Sequence, residues 1–225
     1  MLLPALGLTV AAYLVGVLLQ RRSGKALLHP VGVAMLIVVA VLACFDAALT
    51  QTYLQHNAVL LEFLMVAIVA FAIPLVDNIR AVTQELMRLL AVVLISGLFI
   101  AGSTVALCWV LNLDLATTLA FSLRSVTNPI VLAIAEKNNL AVDMAMLGGF
   151  ITGIVGVVAG EPILRALKIT DPRRVGLVLG ITCHTFGIAR SLEIGSVAAA
   201  YATVGMIFTG VFYAFAAPWV LRLFL

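Results

Sequence analysis

Ser122-Leu-Arg-Ser-Val-Thr-Asn-Pro-Ile-Val-Leu-Ala-Ile-Ala-Glu136 is the stretch whose reading decides the fold. It sets a cation (Arg124), three hydroxyls (Ser122, Ser125, Thr127), an amide (Asn128), a helix breaker (Pro129) and an anion (Glu136) inside otherwise apolar sequence. Polar groups at membrane depth are costly and usually functional. Non-helical backbone there survives only where protein or a watery cavity surrounds it. The stretch predicts a broken or re-entrant helix whose tip lines a polar cavity.

The membrane setting comes from composition. The chain has 225 residues, 64% hydrophobic and 10% charged, with mean hydropathy +1.23. Soluble chains are about one-quarter charged, so the class is an all-α, polytopic membrane protein. The apolar runs are long and do not alternate, which excludes a β-barrel. The net charge of +3 gives no reason to expect nucleic acid as a partner. Cys44, Cys108 and Cys183 are scattered within apolar runs and read as small hydrophobes, with no disulfide, metal or cofactor framework. Met1 to Leu19 lacks a basic leader, and Arg21, Arg22 and Lys25 follow it, so it reads as a retained first helix.

Apolar runs at Leu2–Leu19, Pro30–Phe45, Ala58–Val76, Leu89–Leu111, Leu140–Leu167, Val175–Gly195 and Val197–Leu225 flank the opening stretch. Thr50–Asn57 reads as a polar turn and Asp77–Arg88 as a mixed-charge loop. An offset of 57 lays Glu136 on Glu193, Gly148 on Gly205, Thr152 on Thr209, Gly153 on Gly210 and Arg165 on Arg222. The opening stretch then gains a partner, Ile181-Thr-Cys-His-Thr-Phe-Gly-Ile-Ala-Arg-Ser-Leu-Glu193. Paired interrupted segments in two repeats are a pointer to a transporter binding site. Basic residues mark cytoplasmic loops. Arg21, Arg22 and Lys25 and the loop Lys168–Arg174 both face inward only if Leu115–Lys137 enters and returns from outside. About six spans of roughly 20 residues and two re-entrant or broken-helix hairpins in an inverted repeat result. Residues 1–113 read as scaffold helices and 114–225 as a core with repeats 114–170 and 171–225.

Two tips arriving from opposite sides would meet near the midplane. Pro129 suits the first turn of a half-helix with Asn128 or Thr127 as its N-cap, and free N–H groups at such an end attract anions. Arg124, Ser125, Thr127, Asn128 and Pro129 of the first tip and His184, Thr185, Gly187 and Arg190 of the second are the candidate substrate-binding residues. A buried guanidinium needs an anion, which singles out Arg124. The hydroxyls, Thr182 among them, can equally satisfy the broken backbone. Arg190 and Glu193 share a helical face and can pair, and Glu136 and Glu193 suit capping or interfacial positions. The small-residue patterns Gly149–Gly153 and Gly156–Gly160 suit close approach of another helix. No hydrolase, nucleotide or metalloprotease motif is present, so no enzyme is expected.

At the two islands the chain resembles the LrgB/CidB family. That family carries Lys-Ser-Val-Thr-Thr-Pro-Ile, here Arg124-Ser-Val-Thr-Asn-Pro-Ile130, and Ala-His-x-x-Gly-Thr-Ala-Arg, here Cys183-His-Thr-Phe-Gly-Ile-Ala-Arg190. Thr152-Gly153 and Asp171-Pro172 match as well, and the similarity runs from about Pro30 onward. Asn128 and Ile188 replace usual threonines. Leu123 and Glu161 stand where proline is common. Met65-Val-Ala-Ile68 replaces Gly-Pro-Ala-Thr, which removes a polar group from the third span. The resemblance implies a bacterial cytoplasmic (inner) membrane protein and two functions. One is holin/antiholin-like regulation of murein hydrolase export and cell lysis with a small LrgA/CidA-like partner. The other is carriage of small monocarboxylates such as pyruvate, lactate, glycolate or glycerate. Paired polar tips favour the carrier, working by alternating access, with assembly as a homo-oligomer in the lipid bilayer expected.

Overall fold

The computed structural model describes residues 2–24 and 28–224, with side chains at 4–24, 28–60, 62–64 and 66–216. Lys25 of the first basic loop and the Arg222 side chain of the repeat lie outside the described residues. All regular structure among the described residues is helical. Among the described residues, six helices are long and apolar enough to cross a membrane: Pro4–Ser23, Ala47–Asp77, Leu86–Val110, Val142–Ala166, Pro172–Ile194 and Ser196–Ala216.

The chain forms two compact units, 1–70 and 71–225. The first holds α1 (Leu2–Ser23), α2 (Pro30–Leu42), α3 (Ala47–Asn57) and α4 (Val59–Ala70). Pro30 opens α2, where a missing N–H costs nothing, and Asp46 caps α3 by accepting the Leu49 N–H at 2.9 Å. α3 covers the segment expected to be a turn. Its polar residues signalled a loop, but with an Asp cap and no Gly or Pro inside, nothing in it breaks a helix. Thr9 ties α1 to α3, sharing a 2.7 Å hydrogen bond with the Tyr53 hydroxyl and donating to Asn57 Oδ1 at 2.9 Å.

The second unit contains α5 (Ala72–Asp77), α6 (Ile79–Gln84), α7 (Leu86–Val110), α8 (Leu115–Ser122), α9 (Asn128–Lys137), α10 (Val142–Val155), a π-helical turn (Gly156–Gly160), α11 (Glu161–Ala166), α12 (Pro172–Ile194) and α13 (Ser196–Phe224). α6 and the start of α7 occupy the expected Asp77–Arg88 loop. α7 buries Leu89, Val93, Gly97, Ile100, Thr104 and Cys108, one residue per turn. Ile95, Leu98, Phe99 and Trp109 on its other face are exposed, the arrangement of a helix with one protein side and one lipid side. Asp114 caps α8, accepting the Thr117 N–H at 2.9 Å and its hydroxyl at 2.6 Å. These bonds hold the Asp114 carboxyl below the usual carboxylate range.

α12 does not run straight. His184 sits at φ 43°, ψ −126°, off the helical region. Beyond it, Gly187 packs against the Leu179 carbonyl, eight positions back. At about 1.5 Å per residue those positions would be roughly 12 Å apart in an unbroken helix. The chain therefore reverses at His184, and residues 185–194 return along 172–183. α13 then starts beside the start of α12 and runs parallel to its first arm: Gly176 meets the Ala198 carbonyl and Gly180 the Ala202 carbonyl. The second island is thus a hairpin, as its polar, Gly-interrupted sequence suggested. Arg173 Nη1 reaches Glu85 Oε1 at 2.8 Å, and the Tyr201 hydroxyl donates to the same oxygen at 3.4 Å. The start of α7, the start of α12 and Tyr201 of α13 therefore meet at one point.

Gly180→Ala is expected to lower stability by about 1–3 kcal/mol, because a Cβ there has only main chain to displace. Gly7→Ala, in open space on α1, is expected to raise it by roughly 0.5–1 kcal/mol. Thermal melts of both variants in one detergent check the pair.

Candidate functional site

The first tip is a five-residue break between α8 and α9, residues 123–127. Thr127 takes the N-cap position of α9 without a side-chain cap bond, and Pro129 lies in the first turn. The Ile130 and Val131 N–H groups both donate to the Thr127 carbonyl, at 2.9 and 3.0 Å. Pro129 has no N–H, so this helix start offers fewer free donors than an ordinary one. Pro129 is exposed, Arg124 and Asn128 are half-buried, and Ser125 and Thr127 are buried.

Arg124 crosses to α7, donating from Nε to Thr104 Oγ1 at 2.9 Å. Among the described residues no carboxylate lies within 4.0 Å of its guanidinium. Thr104 is a neutral partner, and a partly buried guanidinium is best stabilised by an anion.

The second tip is His184 itself. Its side chain is buried, and Nε2 lies 3.1 Å from the Gly149 carbonyl. A carbonyl only accepts, so Nε2 carries the proton. Phe186 sits edge-on to both His184 and Phe150 at 5.9 Å. Thr185 donates to Met206 Sδ at 3.8 Å, and Gly187 provides the close approach between the hairpin arms. The positive φ at His184 is a strained conformation of the kind that surrounding structure must hold in place.

Gly149 of α10 joins the two tips. Its carbonyl binds His184. On its other side Asn128 Oδ1, the Arg124 carbonyl and the Val126 carbonyl lie within 3.4–3.7 Å of where a Cβ would stand. The structure thus brings Asn128 and the main chain of Arg124 and Val126 to one side of Gly149, with His184 on its carbonyl. It does not bring Arg190 to them. Arg190, six residues past His184, binds Glu161 Oε2 through Nε at 3.1 Å and Nη2 at 2.5 Å, and also pairs with Glu193. Glu161 is 8% exposed and holds Arg165 as well, Nη2 to Oε1 at 2.5 Å. The charge on the second hairpin is therefore matched within its own base.

The sequence marks Gly149 only as part of a small-residue pattern and Glu161 only as an anion in an apolar run where relatives carry proline. Thr104 has no signal of its own, since hydroxyl residues are common in membrane helices. The glycine stripe of α10 and the π-helical turn does serve close approach, and to a helix of the same chain. Gly153 meets the Phe186 ring, Gly156 meets Cys183 and Gly160 meets Leu179.

A family model described as "LrgB-like family" matches residues 9–223. The chain is 30% identical over 220 residues to the uncharacterized protein YxaC of Bacillus subtilis (strain 168), covering 96% of this chain and 94% of that one. It is 26% identical to the holin-like protein CidB of Staphylococcus aureus (strain N315), at 96% and 94% coverage. It is 25% identical to the antiholin-like protein LrgB of Bacillus mycoides (strain KBAB4), at 92% and 91%. No solved structure matches.

The Glu161–Arg190 contact is expected to show coupling of about 1–3 kcal/mol in a double-mutant cycle of Glu161→Gln and Arg190→Gln read by thermal unfolding. The more exposed Arg190–Glu193 pair is expected to show less than about 1 kcal/mol.

Proposed function

The chain belongs to the LrgB-like family, and on that footing we propose that it carries small monocarboxylates of the pyruvate, lactate, glycolate and glycerate class across the bacterial cytoplasmic membrane by alternating access. The observation that carries this reading is the meeting of two polar chain breaks at Gly149, one of them bringing an Arg124 with no carboxylate partner. A carboxylate would bind Arg124, with the Ser125 and Thr127 hydroxyls and the N–H groups of the break as further donors. His184 and Thr185 would close the site from the other side. The reading is of a carrier, with no chemical step and no cofactor.

The same proposal includes the inverted repeat, since alternating access needs two half-sites able to exchange exposure. Its support is that Gly148 packs against Phe121 and Arg124 while Gly205, at offset 57, packs against Leu177 and Ile181. Gly149 beside Asn128 is likewise matched by Met206 beside Thr185.

A second reading has its own support. The names of the curated relatives, holin-like CidB and antiholin-like LrgB, back regulation of murein hydrolase export and cell lysis better than they back transport. In that reading the chain acts with a small LrgA/CidA-like membrane partner or as a homo-oligomer. The docking face would lie away from the Gly149–Gly160 stripe, which α12 already covers.

Uptake by the purified protein in liposomes, over a panel of C2 and C3 acids and with or without the small partner, tests the carrier. Arg124→Ala is expected to lower uptake roughly 10–100-fold, the loss of a charged hydrogen bond of about 1.5–3 kcal/mol, with unchanged membrane expression. Normal uptake by that variant removes the anion partner from the site. Cell lysis unaltered by Arg124→Ala, together with no uptake of any acid by the wild type, gives the field to the regulatory reading.

A further inference from the structure

Three oxygen atoms line the side-chain face of Gly149 at ordinary contact distance. A carbon placed there would have as its nearest heavy atoms Asn128 Oδ1 at 3.4 Å, the Arg124 carbonyl oxygen at 3.6 Å and the Val126 carbonyl oxygen at 3.7 Å. As placed, all three only accept hydrogen bonds. Asn128 Oδ1 is buried with no donor. Among the described residues no main-chain N–H outside the helices donates to either carbonyl. Ser125, between them in sequence, is 1% exposed and its Oγ also lacks a partner. Thr209 Oγ1, buried on α13, is the third such atom, next to the Gly210 that Ile130 of α9 touches. Among the described side chains, these three are the buried polar atoms left unpaired, and they gather at the first tip and the helix against it.

We propose that Asn128 Oδ1 and the main-chain carbonyls of Arg124 and Val126 form a binding site for a monovalent alkali cation, sodium first among them. Unpaired buried acceptors cost free energy, and one cation would satisfy Asn128 Oδ1 and the two carbonyls together. Carbonyl and amide oxygens replace the water shell of such an ion. They belong to hard cations rather than to metals that want nitrogen or sulfur. The ligand set is uncharged, which favours a single charge, because the cost of desolvating an ion rises steeply with its charge. The two carbonyls follow the C-terminal end of α8, where the helix dipole is negative. The Arg124 side chain leaves toward Thr104 while its carbonyl turns to Gly149. A methyl group at Gly149 would stand in direct contact with all three oxygens and take the place of an ion's contacts on that face. The site stands whichever solute the chain carries.

The experiment is thermal unfolding of the purified full-length protein in detergent, in sodium, lithium, potassium or choline chloride at one ionic strength, with no carboxylate present. An alkali cation is expected to raise the midpoint saturably over choline. Asn128→Leu and Gly149→Ala, the first removing a ligand and the second setting a methyl group against the oxygens, are each expected to lose that rise or to need roughly tenfold more cation, about 1.4 kcal/mol of binding. Equal midpoints in all four salts overturn the proposal. So does an undiminished rise in either variant, since an Asn128 amide turned the other way would pair Nδ2 with the carbonyls and require no ion. Because carboxylate is absent, failure here leaves the carrier reading standing, and failure of uptake leaves the cation site standing.

Discussion

Everything in the second unit answers to the main-chain polar groups freed where two helices break inside apolar surroundings. A helix spends its N–H and C=O groups internally, and a break returns them at a depth where water is scarce. Gly149 touches both breaks. Its carbonyl takes the His184 ring, and its missing side chain lets the carbonyls of the first break come close. The breaks and α10 are therefore one assembly, and a change at any of the three alters the other two.

Close backbone packing makes the second break affordable. Gly176 and Gly180 lie on α13 main chain and Gly187 lies on the first arm of its own hairpin. Such contacts fix the arms through dispersion at short range, the force left to helices when lipid is as apolar as their side chains. The strained φ of His184 persists because those contacts hold the residues on both sides of it. At the hairpin base the restraint changes kind. Glu161 binds Arg165 and Arg190, and Arg190 binds Glu193. This cluster stands directly after the π-helical turn, a feature that often accompanies functional sites in helices. The hairpin is tied by packing at its tip and by charge at its base.

This division separates the two cations expected at the site. Arg190 is spoken for by two carboxylates, whereas Arg124 touches a neutral hydroxyl. A negatively charged solute gains most where the protein has not already supplied the counter-charge. The glycine stripe of α10 and the π-helical turn is consumed inside the chain, against α12 and the first break.

The sequence alone determined the class and the places where the chain breaks. Hydropathy is a local property, and so is the rarity of Arg, Asn, Pro and His in an apolar run, which is why the islands at Arg124–Asn128 and His184–Gly187 could be found without coordinates. Polarity suggests a turn at Thr50–Asn57 and a loop at Asp77–Arg88, yet the Asp46 cap in the first and the absence of Gly or Pro in both still allow a helix. Only the tertiary structure decided which groups meet. That Arg190 belongs to Glu161, 29 residues away, and that Arg124 reaches Thr104 and not an anion, depend on which helix faces which. So does the choice of Gly149 as the joint, since a glycine among many in membrane helices carries no mark of what will lie against it.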